Sequence, residues 1–229
     1  MQHRNFRLFF IGQLISNSGN WLTMVALVLL ILHRTHSGLA VGLLTACQFG
    51  PILLLSPFAG VVADRSDKLK LLKVTQSLEM LQSLALAALA FMHRPPVLAL
   101  YLVALAGGCM LAFDNPVRRS FVTEMVPPED VTNAVTLYSA LVNASRIFGP
   151  ALAGLLVVTL GFGWAFTIDA LSYLAVLLAL RMMRPDELRK TPATPRGKGQ
   201  VREGLRYVRN VPELWITFIL LALVGTLSY

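Results

Sequence analysis

The stretch Val131 to Phe166 reads VTNAVTLYSALVNASRIFGPALAGLLVVTLGFGWAF and holds a single charged side chain, Arg146. A helix needs about 20 mostly apolar residues to cross a bilayer. The run is therefore long enough for one crossing and the start of another, and the turn Gly161-Phe162-Gly163 divides it. Trp164 to Leu180 then forms a further span that carries Asp169. Upstream, Leu8 to His33 and Thr35 to Ala63 contain no Asp, Glu, Lys or Arg. Lys73 to His93 is interrupted only by Glu79, and Pro95 to Phe113 is uncharged. These segments predict six spans. Leu214 to Tyr229 is uncharged but short, and reads as the start of a seventh.

Composition agrees. The chain of 229 residues is 55% hydrophobic and 14% charged, with a mean hydropathy of +0.64. Soluble domains carry about 25% charged residues. A soluble core of this size leaves too much surface in water to hide so much apolar side chain. The net charge of +8 does not point to nucleic acid, because the basic residues sit in short clusters between apolar runs. Cys47 and Cys109 lie inside apolar runs and read as buried thiols. The first apolar run exceeds a signal-peptide core, so it is expected to be both a span and the insertion signal.

Lys and Arg in the connections set the orientation. With the amino terminus inside, the inner segments hold eight basic residues up to Arg119 and nine more from Arg181 to Arg209, against Arg34 and Arg94 outside. Arg118 and Arg119 count here as residues of an inner loop. The expected organisation is a six-helix unit over residues 1–183, a basic linker over 184–212 and the start of a seventh helix over 213–229. The linker contains TPATPRGKG, which packs no core. Within it, Val201, Leu205 and Val208 alternate with Arg202, Arg206 and Arg209 at helical spacing. That pattern suits a basic amphipathic helix at a headgroup surface, or an ordinary solvated linker helix.

Phe49-Gly50-Pro51 and Phe148-Gly149-Pro150 fall in the middle of spans two and five, which cross in opposite directions. Two inverted three-helix repeats would give that placement.

Several polar residues stand in apolar surroundings. A mid-span Arg costs roughly 2.5–3.5 kcal/mol on insertion scales, so Arg146 should face a cavity or a partner. Asp169, entering span six at a comparable depth, is the expected partner, either directly or through water. Gln13, Asn17 and Asn20 share one face of span one, and should line a polar cavity instead of lipid. Glu79 either titrates or pairs with Lys70 or Lys73. Gly149, Pro150 and Gly154 make a bendable stretch that admits close helix approach. Between spans two and three, Gly60, Asp64, Arg65 and Lys68 mark a tight basic turn, which either locks helices by charge pairs or is simply solvated.

The pattern G-x-x-x-D-R-x-x-[RK] at Gly60 to Lys68 resembles the signature of the major facilitator superfamily. Asn5-Phe6-Arg7-Leu8 with Gly12-Gln13 and Ser16 resembles its drug and siderophore exporter branch, which includes enterobactin exporters and macrolide efflux proteins. Asp114-Asn-Pro116-Val-Arg118-Arg119 is similar to that branch's loop between spans four and five. Arg146 to Gly154 resembles its span-five antiporter motif, with Ala153 where the family has glycine. Asp169 to Tyr173 and Glu203 to Tyr207 also fit. The likeness runs through essentially the whole chain. Asn20 stands where the branch often has an acidic residue.

The resemblance implies a secondary transporter of the plasma membrane, with its amino terminus cytoplasmic. It implies efflux of a small, partly apolar molecule by alternating access coupled to protons. It also implies twelve spans in two halves, so the expected partners are the lipid bilayer, a small-molecule substrate, protons and a carboxy-terminal half. The other expectation is a natural six-span half with no transport of its own, acting only with a partner half or as a membrane scaffold. Neither a metal nor a cofactor is expected. No Walker A loop is present, and no acid or thiol adjoins His33 and His36.

Overall fold

The computed structural model describes residues 3–189. They form six long helices: α1 Arg4–Thr35, α2 Gly38–Arg65, α3 Lys68–Ala90, α4 Val97–Glu124, α5 Val131–Leu160 and α6 Phe162–Met182. Short 3-10 turns lie at Pro128–Asp130 and Pro185–Glu187. The expected amphipathic helix and seventh span lie outside the described residues.

Local chemistry places the breaks. His36 closes α1 in the left-handed region at φ 51°, with its N–H bonded to the Leu32 carbonyl. Gly161 sits at φ 87°, which a side chain rarely adopts, and this single residue turns α5 into α6. Asp67 caps α3 by accepting from the Lys70 N–H at 3.1 Å. Pro96 precedes the first turn of α4.

Five of these helices are long and apolar enough to cross a membrane. The one that falls short is α3, and its polarity is directional. Thr75, Gln76, Glu79 and Ser83 are all buried, while Val74, Leu78, Leu81 and Leu84 are exposed. The helix turns its polar face into the bundle and its apolar face outward, as lipid requires. The chain is a multi-pass membrane protein.

The packing has the symmetry of an inverted repeat. α1 packs on α5 as α4 packs on α2; α1 packs on α6 as α4 packs on α3; α3 and α6 pack on each other. Exchanging the first three helices with the last three leaves that pattern unchanged. Pro51 and Pro150 lie inside the equivalent helices α2 and α5.

Two apolar cores hold the bundle. One lies at the end that carries the α2–α3 turn, around Phe9, Leu72, Phe121 and Leu180. The other lies toward the opposite end, around Leu27, Leu44, Leu100 and Phe166. Between them runs a layer of buried polar side chains from α1, α3, α4, α5 and α6.

The chain after α6 is tied back to the bundle. Asn5 donates to the Arg184 carbonyl at 3.0 Å and accepts from its N–H at 3.1 Å. Leu188 enters the first core, and the Arg189 N–H donates to the Glu124 carbonyl at 2.9 Å.

Candidate functional site: a polar layer beneath a cavity

The polar layer is built around Arg118 of α4, which is 3% exposed. Its guanidinium donates to the Asp114 carboxylate one helical turn earlier, and to Asn17 Oδ1 of α1 at 2.8 Å. Asp114 also accepts from Thr75 Oγ1 at 2.6 Å and from Gln76 Nε2 at 3.0 Å, both on α3. Gln76 Nε2 donates in turn to Glu79 Oε2 at 2.9 Å. The Arg118 guanidinium lies 3.7 Å from that same oxygen. A buried charge persists in an apolar bundle only when it is paired and hydrogen-bonded. Here one guanidinium serves two carboxylates.

A second centre forms one turn further along α3. Asp169 of α6 is fully buried. Its carboxylate accepts from Thr23 Oγ1 of α1 at 2.7 Å, from Ser83 Oγ of α3 at 2.6 Å and from Ser172 Oγ at 3.4 Å. Three hydroxyls from three helices meet one carboxylate. Gly19 permits this: a Cβ there would collide with Asp169 Oδ1 and Ser172 Oγ.

A cavity of about 260 Å³ opens onto both centres. α1, α2, α4 and α5 supply its walls, including Asn17, Asn20, Trp21, Phe49 and Tyr138. Glu79, Arg118, Asp169 and Tyr173 line its polar side. Apolar walls with a few converging polar groups are the usual make-up of a small-molecule site.

Residues 1–227 match the family described as "Transmembrane secretion effector". This chain belongs to the transmembrane secretion effector family. It lies within the major facilitator superfamily, and its relatives are transporters and not enzymes. The chain is 31% identical to the staphyloferrin A transporter of Staphylococcus aureus over 76% of its own length and 44% of that protein. It is 24% identical to macrolide efflux protein A of Streptococcus pyogenes over 99% of its length and 56% of that protein. It is 26% identical to the enterobactin exporter of Shigella flexneri over 78% of its length and 43% of that protein. Among solved structures, a peptide transporter crystallised with sulfate superposes with a TM-score of 0.67 at 15% identity, covering 99% of this chain and 47% of that one. The chain spans about half the length of the relatives it matches.

Against this secretion effector fold, the sequence-predicted residues divide. Asn17, Asn20 and Asp169 line the cavity as a group. Gln13 is completely buried, and neither of its amide atoms has a partner among the described residues. Gly149 packs against α1, where a Cβ would strike Trp21 and come within 3.1 Å of the Ser18 carbonyl. Pro150 follows inside α5. A Cβ at Gly60 or Gly154 would meet nothing within 4 Å. In the signature turn of the secretion effector, Asp64 is exposed and Arg65 half-buried. Lys68 is buried and pairs with Glu124 at 2.5 Å, joining the start of α3 to the end of α4.

Three readings need correction. Asp114, Arg118 and Arg119 do not form an inner loop, because α4 runs on to Glu124 through Pro116. Arg118 therefore belongs to the buried layer and not to the basic loop count. Glu79 contacts Gln76 and Arg118, not Lys70 or Lys73. The Asp169 carboxylate is met by hydroxyls, and no ion pair joins it to Arg146 among the described residues. Arg146 instead lies on an exposed face of α5, 5.6 Å over the Trp21 ring.

The Asp114–Arg118 pair was open to discovery: an Asp and an Arg four apart share one helix face, although Asn115-Pro116 between them reads as a break. The joining of Glu79 and Asn17 to that pair had no signal in the sequence.

Proposed function

We propose that this six-helix unit is half of a proton-coupled secondary transporter that exports a small, partly apolar molecule by alternating access. The observation that carries this reading is the cavity bounded by α1, α2, α4 and α5, which has apolar walls and a buried, charge-bearing polar side. A second six-helix half closes the path from the opposite face. This fits the exposed apolar residues Leu53, Leu54 and Phe58 of α2 and Ile147, Phe148 and Leu155 of α5. The substrate and coupling path uses Gln13, Asn17, Asn20, Arg146 and Asp169. The turn at Gly60, Asp64, Arg65 and Lys68 and the helix stretch at Gly149, Pro150 and Gly154 control the rocking of one half on the other. The membrane is the inner, or plasma, membrane, with the amino terminus cytoplasmic.

The test is uptake into everted membrane vesicles from cells expressing the complete reading frame. A radiolabelled macrolide and labelled enterobactin serve as probes, after the substrates for which the relatives are named. Accumulation of either probe that collapses on adding a protonophore supports the reading. Accumulation of neither above vesicles lacking the protein would sink it.

A further inference from the structure

The buried layer holds more negative than positive groups. Asp114, Glu79 and Asp169 supply three carboxylates, and Arg118 is the one buried guanidinium among them. Their bonding separates their roles. Asp114 holds Arg118 directly and also accepts from Thr75 and Gln76. The Asp169 carboxylate is occupied by three hydroxyls. Glu79 is different. Its Oε2 accepts from Gln76, while its Oε1 is buried with no partner among the described residues.

Other polar atoms near it share that condition. Gln76 Oε1, Asn17 Nδ2 and Arg118 Nε are buried and unpartnered among the described residues. Each belongs to a side chain already bonded within this cluster. Asn17 itself is 8% exposed. Buried polar atoms are nearly always satisfied, so such a group around one carboxylate marks a place where something polar enters. Glu79 also lines the cavity, which supplies a route for water.

We propose that Glu79 is the residue at which this half takes up and releases a proton from the cavity. The proposal rests on the transport reading above, in which that proton is the coupling ion. On release, the proton leaves Glu79 Oε1 for a cavity water molecule, and the carboxylate keeps the bonding electrons. The negative charge so formed faces Arg118 at 3.7 Å, which then shares its charge between Asp114 and Glu79. On uptake the sequence reverses, and Arg118 returns to Asp114 alone. Asn17, bonded to Arg118, feels the difference in α1. The charged and titratable groups facing Glu79 are Asp114 and Arg118 from α4, with Arg119 of the same helix also on the cavity wall, and Asp169 and Tyr173 from α6. From α1 and α5 the cavity adds the neutral amide of Asn17 and the phenol of Tyr138.

The experiment is a pH-difference infrared spectrum of the purified protein in lipid bilayers, read in the protonated-carboxyl stretching region. The expected result is a titrating band that shifts when glutamate alone is labelled with 13C. The band is lost in Glu79→Gln and kept in Asp114→Asn and Asp169→Asn. Labelling shows without any mutation whether the band is a glutamate, and Glu79→Gln then assigns it to this residue. A wild-type spectrum with no titrating band overturns the proposal, as does a band that ignores glutamate labelling or survives Glu79→Gln. Failure of the transport reading looks different: vesicle uptake would be indifferent to the protonophore while the Glu79 band still titrates.

Discussion

Asn17 of α1 accepts a hydrogen bond from Arg118 of α4 at 2.8 Å, deep in the bundle. α1 and α4 are the first helices of the two repeats, and they make few other contacts with each other. The bond therefore joins the repeats through the one guanidinium that also holds Asp114 and approaches Glu79.

Removing a partner from that centre exposes its cost. Asp114→Ala leaves Arg118 buried with its main counter-charge gone, and breaking a buried pair in this way costs roughly 3–5 kcal/mol. The double variant Asp114→Ala/Arg118→Ala should be less destabilised than Asp114→Ala alone. Denaturant unfolding in detergent micelles reads both. Equal loss in the two variants would show that Asp114 supports the fold by some other route.

At Asp169, each hydroxyl contributes a modest amount. Interhelical hydrogen bonds within membranes average about 0.6 kcal/mol, with a maximum of about 1.7. Thr23→Val and Ser83→Ala should each lower stability within that range. In an Asp169→Asn background, Thr23→Val should cost less than it does in the wild type, because its charged acceptor has gone. The same unfolding assay measures the coupling.

The two helix glycines after Arg146 should behave differently. Gly149→Ala puts a methyl into Trp21 of α1, and overpacking of this kind costs roughly 1–3 kcal/mol. Gly154→Ala meets nothing within 4 Å and should leave the stability of this unit unchanged. Identical effects at both positions would contradict the observed α1–α5 approach.

Arg146 and Asp169 should act independently. Arg146 lies over the Trp21 ring, while the Asp169 carboxylate is held by Thr23, Ser83 and Ser172. Effects of separate sites add within about 0.3–0.5 kcal/mol. Arg146→Gln and Asp169→Asn should therefore combine additively in vesicle uptake, expressed as free energies. A double variant no worse than the stronger single one would restore the direct pairing.

Orientation can be checked by single cysteines in a Cys47→Ser/Cys109→Ser background. His36→Cys should react with an impermeant maleimide on intact cells, and Ser66→Cys only after permeabilisation. The reverse pattern would invert the assignment.

Most of the helices were legible because lipid imposes a simple rule: uncharged runs cross, and charged clusters do not. The same rule produced the main errors. Asp114 and Arg118 carry charge, so they read as loop, yet each neutralises the other inside α4. Lys68 reads as part of a turn, but its partner Glu124 lies at the far end of another helix. Glu79 drew attention as an isolated charge. Its neighbours come from helices far apart in the chain, and no local spacing records them. Asn17 and Asp169 were found because a polar residue in a span is conspicuous by itself. Arg146 is conspicuous for the same reason, and it lies over Trp21, a residue of the cavity wall.

The segment after α6 leaves the bundle through three fixings: the backbone of Arg184 on Asn5, the side chain of Leu188 in the core, and the backbone of Arg189 on Glu124. These fixings distribute load. A pull on the chain beyond residue 189 reaches the beginning of α1 and the end of α4 before it can unwind α6. The chain beyond residue 189 therefore departs from a point bonded to both helices that head the two repeats, which also meet deeper in the bundle at the Asn17–Arg118 bond.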